Sequence, residues 1–247
     1  MIRLIGVEKS LGGQKVLRGV TLSVHPGKLT TIIGPSGEGK SVLLKHMIGL
    51  LKPDRGEVWV GNEEISRLKG EALNTVRKRF AMLFQGAALF DSLTVTDNVA
   101  FPLREKLHLP EDQVRQRVRE RLEQVGLAGM GHKYPSELSG GMKKRAGLAR
   151  ALVMEPEIIL FDEPTTGLDP LMAHAIHELI STTQKRFGFT AVMVSHEIPE
   201  VFLISDYVAM LKSGRIAVMA AAEEFVNTTD PEVREFIGVG AASHRAV

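Results

Sequence analysis

The octapeptide GPSGEGKS, Gly34 to Ser41, constrains this chain more than any other feature, because it follows the apolar run Leu29 to Ile33 and opens a helical pattern. Strand, glycine-rich turn and helix start, in that order, make a phosphate-binding loop. A loop that wraps phosphate with backbone N–H groups takes conformations that side chains obstruct, which accounts for Gly34, Gly37 and Gly39. Lys40 adds a positive charge for the β- and γ-phosphates, and Ser41 offers a hydroxyl to Mg²⁺ at the helix start. Pro35, Ser36, Glu38 and Val42 complete the loop and its first helical turn. The plainer alternative is an ordinary glycine turn, and the strand before it and the helix after it argue against that.

A phosphate loop that does chemistry needs an acidic partner at the end of a second buried strand. The segment EIILFDEP, Glu157 to Pro164, supplies Asp162 and Glu163 after an apolar run. One carboxylate there can hold Mg²⁺ through water, and a second beside it can orient and deprotonate an attacking water. Alone, an Asp-Glu pair after a strand reads as a helix cap or a solvated loop. Beside the phosphate loop it reads as the other half of a site.

Short β-branched or apolar runs predict strands at Ile2 to Val7, Val16 to Val24, Leu29 to Ile33, Val58 to Val60, Ala81 to Phe84, Ile158 to Phe161, Thr190 to Val194 and Tyr207 to Leu211. Apolar spacings of three and four predict helices over Lys40 to Leu50, Glu111 to Val125, Gly141 to Met154 and Pro170 to Phe187. Strands that are apolar throughout and separated by helices imply a largely parallel sheet buried on both faces, hence an α/β fold. Ala87 to Ser139 reads as a mostly helical insertion with its own lobe.

Composition removes several classes of function. A formal charge of +2 over 247 residues gives no reason to expect a nucleic-acid groove or an electrostatic membrane anchor for the whole chain. With 44% apolar residues and no cysteine, neither a disordered chain nor a disulfide scaffold is expected. The longest charge-free apolar stretches, Phe80 to Phe90 and Gly188 to Ser195, fall short of the roughly 18 residues of a membrane span. Arg3, Glu8 and Lys9 interrupt the N-terminus before the apolar core of an export signal could form, so a reducing cytoplasm is the expected compartment.

With the segment LSGGM, Leu138 to Met142, the chain resembles the ATPase subunits of ABC transporters over almost its whole length. The family's usual form is LSGGQ; Met142 replaces the final Gln and leaves Ser139, Gly140 and Gly141 intact. Read physically, Ser139 caps the following helix while the N–H groups of Gly140 and Gly141 bind anionic oxygen. A helix cap alone would explain the serine but not two glycines. The resemblance implies ATP and Mg²⁺ as ligands, with Ser41, Gln85 and Asp162 on the metal and Glu163 as the base. It makes Gln85 the glutamine that approaches the metal and the attacking water, and His196, after the strand Thr190 to Val194, a switch that contacts the γ-phosphate. Gly167, Leu168 and Asp169 match a loop that communicates between subunits, and Leu11 stands where the family carries an aromatic residue that stacks on adenine.

The same resemblance implies a P-loop NTPase core with a mostly parallel sheet, an N-terminal antiparallel β subdomain and an inserted helical subdomain. Residues 1–86 and 140–230 would form the core with its β subdomain, 87–139 the helical subdomain and 231–247 a tail. Two chains would pair head to tail, each ATP clamped by Lys40, Ser41, Asp162 and Glu163 of one and by Ser139 and Gly141 of the other. The apolar residues Ala87, Ala88, Leu89, Phe90 and Leu93 either receive a permease helix or form lobe core. His196-Glu197-Ile198-Pro199-Glu200 lacks the second histidine of a zinc protease motif, so zinc is not expected. His174 and His177 read as surface or packing residues, and the arginines at 115, 117, 119 and 121 as a solvated face.

Three further segments narrow the resemblance: GAALFDSLTVTDNVAFPLRE after Gln85, the LSGGM form itself, and DPEVREFIG from Asp230 to Gly238. Together they resemble the ATPase of the Mla-type phospholipid transporters, also called the toluene-tolerance or MCE-associated group. That implies an ATPase homodimer beneath two permease copies, on the cytoplasmic face of a bacterial inner membrane. It also implies a STAS-domain protein on the ATPase and an MCE lipid-binding protein in the periplasm. The tail, Asp230 to Val247, either helps dimerise the subunits or frays. The alternatives are an importer of amino acids or other small solutes, a soluble ABC ATPase acting on ribosomes or DNA, and a nucleotide-binding regulatory module. The soluble class usually carries two cassettes or a long coiled coil, neither of which is seen, and Glu163 and His196 stand where turnover needs them.

Overall fold

The computed structural model describes residues 1–107 and 109–243. The chain opens on a hairpin of β1 (Ile2–Leu11) and β2 (Gln14–Val24), which turns at Gly12 and Gly13, both at positive φ. Next come β3 (Leu29–Ile33), α1 (Lys40–Met47), β4 (Arg55–Val60), the short β5 (Glu63–Glu64), α2 (Gly70–Arg77) and β6 (Phe80–Leu83). Helices α3 (Val95–Lys106) and α4 (Glu111–Gln124) and a 3₁₀ turn at Pro135–Glu137 lead to α5 (Gly140–Leu152). The remainder is β7 (Ile158–Asp162), α6 (Pro170–Phe187), β8 (Thr190–Val194), α7 (Glu200–Ile204), β9 (Tyr207–Lys212), β10 (Arg215–Ala221), α8 (Ala222–Val226) and α9 (Pro231–Ser243).

Two sheets organise these elements. One is antiparallel, in the order β2-β1-β4-β5. The other has six strands in the order β10-β9-β3-β8-β7-β6, parallel from β9 to β6 and antiparallel at β10. The expected α/β class, mostly parallel sheet and N-terminal antiparallel sheet are all present. The parallel strands β3, β7 and β8 are apolar except for buried Thr30, Thr31 and Thr190 and for Asp162 at the end of β7, because alternate residues enter two different cores. Leu29, Ile33, Ile159, Phe161, Ala191 and Met193 face the helices, whereas Ile32, Ile158, Leu160, Val192 and Val194 share a core with Ile2, Leu4 and Leu22 of the antiparallel sheet. Each fully buried Leu, Ile, Val, Phe or Met among them contributes about 1.5–3 kcal/mol.

Between β6 and α5, helices α3 and α4 bury Val95, Val99, Leu103, Val114, Val118 and Leu122 against α5, in a core continuous with the helix-facing side of the sheet. Thr94 caps α3 by accepting from the Asp97 N–H at 3.1 Å. The expected solvated arginine face is only partly so. Arg115 and Arg119 are exposed, but Arg121 is buried, its guanidinium 5.0 Å from the Phe187 ring centroid and 2.7 Å from Glu155. It lies on the core-facing side of α4 beside Val118 and Leu122, where its aliphatic stem is covered. At the other end of the chain, α9 docks through buried Val233 with Phe236 and Ile237 behind it, and residues 244–247 of the tail lie outside the described residues. Among the described residues, no helix is long and apolar enough to cross a membrane.

Candidate nucleotide site

Four neighbouring parallel strands, β3, β8, β7 and β6, deliver the expected residues from their carboxyl ends, the edge at which such sheets bind ligands. The phosphate loop leaves β3 between two other strands. A Cβ on Gly34 would lie 2.1 Å from the carbonyl oxygen of Leu211 in β9, and one on Gly39 would lie 2.6 Å from Val16 Cγ1 in β2. Gly39 is also the N-cap of α1, at φ 96°, so the helix starts directly behind the loop with its N–H groups directed at it.

Lys40 is buried, and its Nζ donates to the carbonyls of Gly34 at 2.8 Å and Pro35 at 2.9 Å. Burial pushes this ammonium below its ordinary pKa, opposed by the nearby charges of Glu163, Glu38 and Asp162. The hydroxyl of Ser41 donates to Asp162 Oδ1 at 2.7 Å. Glu38 accepts from the Gly214 N–H at 3.1 Å, tying the loop to the β9–β10 turn. The carbonyl of Val42 is bonded at 2.8 Å by Nδ1 of His46, a buried residue one turn along α1.

Asp162 ends β7, and the chain then turns sharply at Glu163, whose φ is 49° and whose N–H donates to the Val194 carbonyl at 3.0 Å. A left-handed conformation at a residue with a Cβ costs about 1–2 kcal/mol, and here it swings the carboxylate out of the strand line. Thr166 Oγ1 donates to Glu163 Oε2 at 3.1 Å, and His196 Nδ1 stands 3.6 Å from Glu163 Oε1. A cavity of about 320 Å³ is lined by Val16, Glu163 and the loop residues Ser36, Gly37 and Gly39 to Val42. Its walls are the P-loop on one side and a carboxylate oriented by two neighbours on the other.

Not every expected residue meets there. Leu11, Gln85, Ser139, Gly140, Gly141 and Asp169 are absent from the lining of this cavity, and Gly34, Pro35, Glu38, Asp162 and His196 stand outside it too. Leu11 is 40% exposed at the tip of β1. Gln85 is exposed just beyond β6, and its backbone carbonyl accepts from Lys144 of α5. Ser139 caps α5, accepting from the Met142 N–H at 3.3 Å, and Asp169 caps α6, accepting from the Met172 N–H at 3.0 Å. The glycines after Ser139 leave room for that second helix start: a Cβ on Gly140 would meet Leu168 at 3.1 Å, and one on Gly141 would meet Met172 at 3.2 Å. The α5 N-terminus is a second helix start, on an element separate from the phosphate loop.

Of the two histidines read as surface or packing residues, His174 is exposed and His177 packs inside, while buried Lys144 was not anticipated. His177 is buried, with Nε2 3.4 Å from Thr165 Oγ1 and 3.6 Å from Glu197 Oε2, linking the loops that follow Glu163 and His196. Burial pushes its pKa down, opposed by Glu197. Its spacing from Ala173, Ile176 and Ile180 marks the buried stripe of α6, the signal that separates it from half-exposed His174. Lys144 is buried too, its pKa lowered by that burial and raised by Glu197 and Glu163.

The fold and this site define a P-loop nucleoside triphosphatase cassette. A family model described as ABC transporter matches residues 17–166. The chain belongs to the ABC transporter family, as an ATP-binding subunit that hydrolyses ATP. It is 43% identical over 226 residues to the intermembrane phospholipid transport system ATP-binding protein MlaF of Haemophilus influenzae, covering 92% of this chain and 86% of that protein. It is 42% identical over 237 residues to MlaF of Escherichia coli, covering 96% and 88% respectively. The protein named "Probable ribonucleotide transport ATP-binding protein mkl" of Mycobacterium leprae is 40% identical over 236 residues, covering 96% of this chain and 68% of its own. Among solved structures, the ATP-binding cassette MJ0796, a dimer in a post-hydrolysis state with ADP and Pi, superposes with a TM-score of 0.81 at 32% identity, over 90% of this chain and 99% of that one.

Proposed function

We propose that this chain is the ATPase of a bacterial phospholipid transporter working between inner and outer membranes, acting as a homodimer on the cytoplasmic face of the inner membrane through its permease. The observation that carries the ATPase mechanism is the division of anion-binding groups between two elements. Lys40, Ser41, Asp162 and Glu163 gather at the carboxyl edge of the sheet, while Ser139 exposes the start of α5 elsewhere. A head-to-tail pair of chains would close Ser139, Gly140 and Gly141 of one over ATP held by the loop Gly34 to Val42 of the other. ATP then favours the closed pair because it contacts both halves only there.

Within each site, Glu163 takes the proton of the attacking water, with Thr166 orienting one carboxylate oxygen and His196 beside the other. His196 reaches the γ-phosphate, Gln85 the attacking water, and Asp169 the opposing subunit. The Ser41 hydroxyl and Asp162 carboxylate are hard oxygen donors that already converge, a set that suits Mg²⁺, with Gln85 as a third ligand. When bound, Mg²⁺ neutralises charge on the β- and γ-phosphates. Leu11 covers the base with an aliphatic side chain.

An apolar groove of about 460 Å³ runs beside the loop that carries Gln85, lined by Phe84, Ala88, Phe90, Phe101 and Met154 among others. Of the apolar residues in question, Ala87 is buried and belongs to the lobe core, while Phe90 is exposed and can line the groove. We assign the groove to a permease helix. The segment 87–139 is the helical lobe beside the core at 1–86 and 140–230. A STAS-domain protein on the ATPase and an MCE lipid-binding protein complete the assembly. Support for the phospholipid cargo comes from the two MlaF relatives, and mkl keeps a ribonucleotide cargo as the second reading. Purifying the tagged chain from mildly solubilised membranes tests the assignment. A permease, a STAS protein, an MCE protein and bound phospholipid are expected, whereas a permease carrying ribonucleotide, or no membrane partner at all, would overturn it.

A further inference from the structure

We propose that Lys144 and Arg150, on one face of α5, are positioning residues that hold the loop carrying Gln85 to the helix whose start bears Ser139. This loop leaves β6 in a conformation that side chains disfavour, since Ala87 and Ala88 have φ values of 59° and 48°. Such backbone persists only where its surroundings fix it. Lys144, 5% exposed, donates from Nζ to the Gln85 carbonyl. Arg150 donates to the Ala87 carbonyl at 2.6 Å and to the Ala88 carbonyl at 2.7 Å. Between the two cations Gly147 makes the space: a Cβ there would lie 2.7 Å from Leu83 Cδ1 and 3.2 Å from Ala87 Cβ. Positions 144, 147 and 150 are spaced by three and share one helical face.

Three carbonyls of one turn are thus held by cations from a single helix, and charge-assisted bonds are the stronger kind. The far end of the loop is fixed separately by buried Asn98, which accepts from the Phe90 N–H at 2.7 Å and donates to the carbonyls of Phe90 and Leu93 at 3.0 Å. Loop and α5 therefore move as one body. The catalytic consequence rests on the reading of Gln85 given above: displacing the loop displaces Gln85 from the water and the metal it serves, while the phosphate loop Gly34 to Val42 stays in place.

The test pairs amide exchange with kinetics on the whole chain. Lys144→Met is expected to speed exchange of the Phe84 to Ala88 segment by about tenfold while leaving α1 unchanged. Turnover should fall by about tenfold or more with KM for ATP within about twofold, and Lys144→Arg should restore both. In a Gln85→Ala background Lys144→Met should add nothing further. Arg150→Met serves for the exchange measurement if Lys144→Met does not fold. Unchanged exchange would overturn the anchor, and faster exchange with unchanged turnover, or full additivity with Gln85→Ala, would overturn the positioning role. If Gln85→Ala hydrolyses ATP normally, the catalytic reading of Gln85 is the part that fails, and exchange alone decides the anchor.

Discussion

The hydroxyl of Ser41 donates a 2.7 Å hydrogen bond to Oδ1 of Asp162, joining the first turn of α1 to the last residue of β7. Both partners are fixed by other means, Ser41 by the helix start and Asp162 by the pairing of β7 between β6 and β8. Their convergence is a property of the sheet and not of flexible side chains. Ser41→Ala and Asp162→Asn should each raise the Mg²⁺ concentration for half-maximal ATPase by about 10- to 100-fold. An Mg²⁺ titration of turnover that matches the parent would show that these oxygens do not hold the metal.

Leu11 sets an expectation about the base. Aromatic stacking contributes about 1–3 kcal/mol per base, and an aliphatic side chain at the exposed tip of β1 lacks that π face. The parent should turn over ATP and GTP with similar efficiency, and Leu11→Tyr should tighten ATP binding by about tenfold. Competition of each nucleotide against a fluorescent ATP analogue measures this. Strong ATP preference in the parent would be the contrary result.

Two buried histidines give the pH dependence a direction. His46 and His177 are buried, and burial holds both below the ordinary histidine pKa. Below about pH 6.5 the unfolded chain binds protons at these positions that the folded chain does not, so stability is lost as pH falls through that window. Each histidine contributes at most about 1.4 kcal/mol per pH unit to that slope. Urea unfolding at pH 7, 6 and 5 should show the loss, and His46→Gln with His177→Gln should flatten it. An equal slope in the double variant would assign the acid sensitivity to other groups.

The groove beside the Gln85 loop offers Phe90 and Phe101 with ring centroids 4.9 Å apart, and Phe84 exposed alongside. Phe90→Asp should leave ATP binding by the isolated chain within about twofold, since it touches none of the phosphate-binding groups, and should abolish recovery of the permease on purification. Intact recovery of the permease would move its docking site elsewhere.

These relationships were legible in the sequence to different depths. The P-loop and Asp162-Glu163 could be read because glycine, lysine and carboxylate chemistry leaves few substitutes, and the parallel strands because burial on two faces makes them β-branched or apolar almost throughout. The strand order was not legible: nothing local tells β3 to lie between β8 and β9. The edge strand β10 was not among the strands read from the sequence although Ile216 to Ala221 is an apolar run, because three of its residues are alanine, a weak strand former, and β5 is only two residues long. Helix α3 carries Pro102 inside it, which masks its period. Lys144 and Arg150 look like ordinary surface cations until Gly147 between them is seen to receive a loop distant in sequence.

The assignment of Glu163 as the base bears most directly on how this ATPase works. Glu163→Gln keeps the size of the side chain, its hydrogen bond from Thr166 and its place at the turn, while removing the proton acceptor. With ATP and Mg²⁺ the variant should elute as a stable dimer that retains unhydrolysed ATP, and its steady-state turnover should fall by at least about 100-fold. Turnover close to the parent's, with no ATP-dependent dimer, would contradict the mechanism derived from the Ser41, Asp162, Glu163 and His196 array.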